Sequence, residues 1–311
     1  MQFHRRSGVV ALTVCALAIG VGGALAQPAP KYLYTLSNFV GPFRYDGVRL
    51  DVDPVKDEVY FVYQDLVRIF NSSGMEVFSF GDDLGLGQIV DAGPDPSGDI
   101  IVLSFKDGRS VVTRCNFRGV PVRPIEVSGL PAGVTFSANR LQIRNGLLYF
   151  ADLAAMRVVI TGLDGRCVQV VDFKRLIGTR EVERAGGEMF GFTVDRDGSL
   201  LATIPTLFKV FKLAPDGALS SFGRAGSSAG RFGIVSGVAV DSRGDVLVTD
   251  KLRSVVMVFD KDFNFLAEFG YRGAGHENLI VPDDLVIDRA DRVYVSQGRR
   301  RGVSVFTLWP Q

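Results

Sequence analysis

Apolar residues along this chain come in short runs rich in Val and Phe, each cut off by a turn containing Asp, Asn or Gly. The clearest stretch is residues 234–270, where Val238–Val240, Val246–Val248 and Val255–Phe259 are followed by a fourth run, Phe265–Phe269. Runs this short, bounded by turn residues, read as strands rather than helices. Asp241-Ser242-Arg243-Gly244 suits a tight turn, because Asp bonds its own backbone and Gly accepts positive φ. The stretch therefore predicts a four-stranded antiparallel meander.

The same unit recurs along the chain. Aligned on Asp241, which closes the first strand, its equivalents are Asp53, Asp95, Arg144, Asp195 and Asp288, at intervals of 42 to 51 residues. The third strands keep the register at Val67–Phe70, Val111–Arg114, Arg157–Ile160, Lys209–Lys212, Val255–Phe259 and Val303–Phe306. Four short strands per unit and a period in the forties predict an all-β fold, a six-bladed β-propeller of four-stranded antiparallel blades. Its repeats start near residues 47, 89, 138, 189, 235 and 282. The sixth unit runs out at Gln311 after its third strand, while Lys31–Leu36 stands spare before the first. That hexapeptide reads like Phe265–Phe269, so the N-terminal strand is expected to complete the last blade and close the ring.

Residues 1–26 follow a different pattern. Arg5-Arg6 precedes an apolar stretch from Val9 to Leu25, which closes on Ala24-Leu25-Ala26 before Gln27. A basic head, an apolar middle and small residues at the cleavage positions are the form of a secretory signal peptide. The expected product is a single domain, residues 27–311, in the periplasm or secreted. No other apolar run approaches ~20 residues, so no membrane span is expected after cleavage. Removing Arg5 and Arg6 leaves 33 basic against 34 acidic side chains, a charge near −1. That balance provides no broad basic field and argues against nucleic acid as a partner. Cys115 and Cys167 are the cysteines that remain, and their spacing does not say whether they pair.

The pattern Gly-Val-Ala-Val-Asp-x-x-Gly-x-Val-x-Val-x-Asp at residues 237–250, then Val-Met-Val-Phe-Asp at 256–260 and Phe-Leu-Ala-Glu-Phe-Gly at 265–270, resembles an NHL repeat. The match is strongest in the fifth unit and weakest in the second and third. The resemblance implies a six-bladed propeller of the exported bacterial type, in which binding is far commoner than catalysis. It also implies that the first strand of each blade lines the central channel, and that inter-blade links share one face with the loops joining second to third strands.

Two residues before each first-strand core pair such repeats usually carry a small residue; here the positions are Arg49, Asp91, Arg140, Gly191, Gly237 and Asp284. Around the closed ring the signs of Asp284, Arg49, Asp91 and Arg140 alternate. Two readings follow: inter-blade ion pairs that neutralise one another at the channel mouth, or a polar ligand pocket with the two glycines leaving space opposite. The link and loop residues Arg44, Tyr45, Asp46, His276, Glu277, Arg299, Arg300 and Arg301 are candidates for partner binding, since long loops on a rigid scaffold are where binding usually lives. Residues 174–188 are expected to form a short solvated helix.

His276 is the only histidine left after residue 26. A multi-histidine zinc site, as in the amidating-lyase relatives of this propeller class, cannot be assembled, and no strained G-x-S-x-G elbow accompanies that histidine. Gluconolactonase-like propellers instead hold a divalent cation such as calcium on Glu, Asn and Asp. Asp46, Asp91 and Asp284 offer oxygens, but Arg49 and Arg140 crowd them. The expectation is a monomeric, non-catalytic scaffold for a protein or peptide of the envelope or cell exterior, with no catalytic residue, metal ligand or cofactor. The alternative is a metal-dependent hydrolase or lyase with its site at the channel mouth.

Overall fold

The structure, a computed structural model, describes residues 30–308 apart from 39–40, 43–46 and 82. Residues 1–29, which include the expected signal, and Arg44, Tyr45 and Asp46 lie outside the described residues.

Six four-stranded antiparallel sheets form the ring. Their inner strands are Arg49–Val52, Gln88–Pro94, Arg140–Arg144, Phe192–Val194, Val235–Val240 and Pro282–Ile287. The second strands are the apolar heart of every blade: Val59–Tyr63, Leu200–Ile204 and Val246–Asp250 bury nearly every residue. A blade apolar on both faces needs a neighbour on each side, and the cores lie accordingly between blades. Phe61, Leu50, Tyr294 and Val305, for example, form one core between blades one and six, while Met156, Phe173, Phe192 and Ala202 lie in another between blades three and four.

The aligned aspartates are turn residues. Asp53, Asp95, Asp241 and Asp288 each use Oδ1 to accept two backbone N–H bonds from their own turn, such as Arg243 N at 2.8 Å and Asp245 N at 2.9 Å for Asp241. These Asx turns fix the ends of the inner strands of blades one, two, five and six. Blade three departs from them: Arg144 pairs directly with Leu147 across Asn145-Gly146, both at positive φ. That two-residue hairpin needs no side-chain clamp.

The link from blade three to blade four is a pair of short helices, Phe173–Ile177 and Thr179–Ala185. The expectation of one solvated helix is corrected here, because Phe173 and Val182 are buried in the core between the two blades. Cys115 is buried, Cys167 is half-buried, and both are free thiols.

Strand Lys31–Thr35 closes the ring by pairing antiparallel with Gly302–Thr307, from Lys31 opposite Thr307 to Thr35 opposite Ser304. Leu36 is fully buried behind it, and its N–H donates to Val303 O at 3.0 Å. Tyr34 donates from its hydroxyl to Ser72 O of blade one at 3.0 Å, over Gly74, where a β-carbon would fall 2.3 Å from the tyrosine ring. Deleting residues 31–36 is therefore expected to open the ring and lower the melting temperature by about six degrees or more (~3 kcal/mol or above at 2–4 °C per kcal/mol). An unchanged thermal transition, followed by circular dichroism, would sink the closure argument.

Candidate functional site

Every inner strand runs from the end of the ring that carries the links to the end that carries the first hairpin turns. Residues two apart on an inner strand thus occupy successive tiers of the channel. The tier nearest the links is Arg49, Asp91, Arg140, Gly191, Gly237 and Asp284.

Three of its four charges meet. Arg140 reaches across the ring from blade three and donates from Nη1 to Asp284 Oδ2 of blade six at 2.9 Å, while its Nε lies 3.7 Å from Asp91 Oδ2 of blade two. All three are within 3 % of complete burial. The backbone completes their coordination: Leu141 N and Ala92 N donate to Asp91 at 2.8 and 3.1 Å, and Leu50 N and Leu285 N donate to Asp284 at 3.3 and 3.1 Å. The cluster around this one guanidinium therefore ties blades one, two, three and six together and fills the channel at this tier. Burial alone opposes a charge on Arg140, but Asp284, Asp91 and Asp51 more than offset it, and its pKa is raised. Burial pushes Asp91 up, against the pull of Arg140. Arg49 is half-buried and, among the described residues, makes no ion pair within 4.0 Å, so the expected strict alternation of pairs gives way to one arginine serving two carboxylates.

A divalent cation does not fit this end of the channel. The oxygens of Asp91 and Asp284 are taken by Arg140 and four backbone N–H groups, and the guanidinium stands where the ion would lie. The glycines do not leave space either, which corrects the pocket reading. A β-carbon on Gly191 would fall 2.1 Å from Ser236 O, and one on Gly237 would fall 2.9 Å from the backbone of Asp284 and Leu285. Blades four, five and six touch there through their backbones. Gly191 N and Gly237 N each donate at 2.7 Å to a hydroxyl of the second strand, Thr203 and Thr249, and each hydroxyl donates onward to the next blade, to Ser236 O and Asp283 O.

The surrounding loops divide by role. Arg301 donates from Nη2 to Gly275 O at 2.8 Å and Asn278 O at 3.3 Å, pinning the link that carries His276 and Glu277. Arg299 and Arg300 are exposed, with positive φ, while Arg301 turns back to the link. His276 and Glu277 are exposed, and the His276 ring stacks 6.0 Å from Tyr32. Exposed Phe190, Ile234 and Leu252 are grouped around Lys251 on the same face. Lys251 Nζ lies 5.2 Å from the Phe190 ring centroid, Lys251 N donates to Ile234 O, and Leu252 packs over Gly233.

The next tier, two residues on, is Asp51, Gly93, Gln142, Thr193, Ala239 and Val286. All of them but Gly93, which Asp51 covers, join the turn ends in walling a cavity of about 570 Å³ that opens on the face opposite the links. Asp51 lies over Gly93, where a β-carbon would fall 2.2 Å from Oδ2, and it accepts from Val52 N at 2.8 Å. Burial first, then the Asp91 charge, raises its pKa to about 7, with Arg144 and Arg140 pulling the other way. The sequence reading passed over this tier, although the same register, moved by two residues, picks it out. Among the described residues no group of three or more His, Cys, Asp or Glu is arranged to hold a metal, and no helix is long and apolar enough to cross a membrane.

A closed six-bladed propeller, plugged by an ion-paired cluster at one end of its channel and open at the other, is the class that fold and site define. No protein-family model matches the chain. Two NHL-repeat proteins match short stretches of it. Protein lin-41 of Caenorhabditis elegans is 39 % identical over 57 residues, 18 % of this chain and 5 % of its own length. Protein brain tumor of Drosophila melanogaster is 34 % identical over 92 residues, 29 % of this chain and 9 % of its own. The chain thus spans only a small part of either relative. Among solved structures, a catalytically inactive virginiamycin B lyase from Staphylococcus aureus, solved with quinupristin, is similar with a TM-score of 0.56 at 14 % identity, over 86 % of this chain and 83 % of that one. A luciferin-regenerating enzyme is similar with a TM-score of 0.59 at 11 % identity, over 90 % and 95 %. At these identities the likeness is one of fold.

Two outcomes are expected. Arg140→Met strands two buried carboxylates and should cost ~3–5 kcal/mol in urea unfolding; a loss below about 0.5 kcal/mol would mean the cluster is not a structural tie. Asp51 binds its proton more tightly folded than unfolded, so its contribution to stability is intact below pH 4 and is lost as pH rises through about 7. Asp51→Asn should therefore raise the melting temperature at pH 8, by roughly 1–3 kcal/mol of stability, with the gain fading at pH 5. An equal effect at both pH values would refute the assignment.

Proposed function

We propose that this chain is an exported, non-catalytic binding scaffold, monomeric, acting in the periplasm or outside the cell, which holds a protein or peptide on the face that carries the inter-blade links. The observation that carries the reading is the grouping of exposed Phe190, Ile234 and Leu252 around Lys251 on that face. Large exposed apolar side chains grouped on a rigid frame mark interaction surfaces. Their backbones are held by the close packing of blades four to six, so little ordering entropy is lost on binding. Arg299, Arg300, His276 and Glu277, exposed on the neighbouring blade six loops, supply polar contacts at the rim. The short matches to NHL-repeat proteins agree with protein binding as the general mode. Export rests on residues 1–26. No cofactor enters this reading.

The test is capture from the envelope extract of the source cells by immobilised residues 27–311, compared with the variants Phe190→Ser/Leu252→Ser and Arg299→Ala/Arg300→Ala. A retained protein, once purified, should bind the wild type at least ~10-fold more tightly than the Phe190/Leu252 variant, since two lost apolar anchors remove about 1.5–3 kcal/mol. Retention that ignores both variants would overturn the placement of the site.

A further inference from the structure

We propose that the open end of the channel is a second binding site, for a small organic carboxylate with an apolar body, and that Arg144 is its anchoring cation. This site is independent of the partner face, from which the plug of Arg140, Asp91 and Asp284 separates it.

Arg144 occupies the position where the other five blades carry an aspartate. Those aspartates are engaged: four clamp their own turns, and Asp195 accepts from Arg196 N at 2.6 Å and lies 3.4 Å from Lys212 Nζ. The Asn145-Gly146 hairpin frees position 144 from that duty. Its guanidinium instead lines the cavity, half-buried, with Nε enclosed and without an acceptor, and among the described residues no carboxylate lies within 4.0 Å of it. A sheltered guanidinium with no anion of its own is a site for one supplied by a ligand, since Arg binds carboxylates through paired N–H donors.

The rest of the wall selects the ligand's body and size. Val52, Ile143, Val194, Val240, Val286 and Ile287 form the apolar part of the wall; the turn aspartates Asp53, Asp95, Asp195 and Asp288 also line it, the last three ion-paired to Arg114, Lys212 and Arg292, and about 570 Å³ takes a body the size of one aromatic ring with room for water. Gln142, one tier deeper on the same strand, is oriented by Thr193 Oγ1 at 3.2 Å and Val194 N at 3.1 Å donating to its Oε1; its Nε2 has no partner among the described residues and is a second donor for the anion. Asp51 stands at the same depth. Facing it are Asp91 on the inner strand of blade two, Arg140 and Arg144 on that of blade three, and Asp284 of blade six, bonded to the neighbouring Leu50 N. While Asp51 is protonated it adds no repulsion to a bound carboxylate. Once ionised, it does.

The probes are benzoate and hexanoate, with benzamide as the neutral counterpart of benzoate, titrated by isothermal calorimetry at fixed chloride into residues 27–311, the Arg144→Met variant and the Asp51→Asn variant. At pH 6 at least one acid should saturate the wild type, with benzamide at least tenfold weaker than benzoate and Arg144→Met at least tenfold weaker than wild type. Affinity should fall severalfold between pH 6 and pH 8.5 in the wild type and stay level in Asp51→Asn, a readout that a merely structural role for Arg144 would not produce. Thermal unfolding of each variant checks that it is folded. The inference is overturned if neither acid saturates the wild type up to about 20 mM, where a millimolar site would be filled. It also falls if benzamide matches benzoate, or if folded Arg144→Met binds as well as the wild type.

Discussion

A four-stranded sheet that is apolar on both faces cannot stand at the end of a stack, and the rest of this molecule follows from that constraint. The second strands bury nearly every side chain, so each blade needs a neighbour on either side, and six such blades find both only by closing a ring. Closure in turn requires that the last blade be completed from the other end of the chain. Lys31–Thr35 does this, with Tyr34 reaching over Gly74 into blade one, so the joint is tied both within blade six and across the seam.

Closing the ring creates a channel, and with it an electrostatic problem at its axis. Inner strands bring six residues of each tier close together, and in the tier nearest the links four are charged. The solution is asymmetric. In blades four to six, glycines let the strands touch, so that half of the ring has no side chain to bring to the axis beyond Asp284. The other half supplies Arg140, long enough to cross the axis and satisfy carboxylates on two blades. An arrangement of this kind is costly to break at any one residue, because each group is buried and stranded without the others.

Much of this was legible in the chain. The Asp-led turns set the register because a side chain that caps its own turn fixes where an inner strand stops: five of six blades carry the aspartate, and in four of them it clamps the turn. The charge pattern of Arg49, Asp91, Arg140 and Asp284 pointed to ion pairing at the axis, but not to its partners: sequence order around a ring suggests neighbours, whereas a long arginine can pair across it. The glycines misled for a related reason. A missing side chain reads as space, yet in a closed ring the backbones move in to fill it. Asp51 and Gln142 escaped notice, and Arg144 entered only as a register position, because single-residue chemistry in an inner strand carries no motif; the signal was positional, an arginine where the repeat has aspartate and polar residues two positions before the turn.

The two ends of the channel are thus different instruments made from one repeat. At the link end the tier is neutralised internally, and what remains available is on the loops: apolar Phe190, Ile234 and Leu252, and the rim of blade six. At the turn end the repeat's aspartate is replaced in one blade only, and the replacement leaves an arginine that has no ion pair among the described residues beside a carboxyl whose proton is held near neutrality. A fully regular repeat would have paired or capped both groups. Departure from the repeat at Arg144 is therefore more informative about function than the repeat itself, because the fold does not need it: the hairpin at Asn145-Gly146 turns the chain without its help.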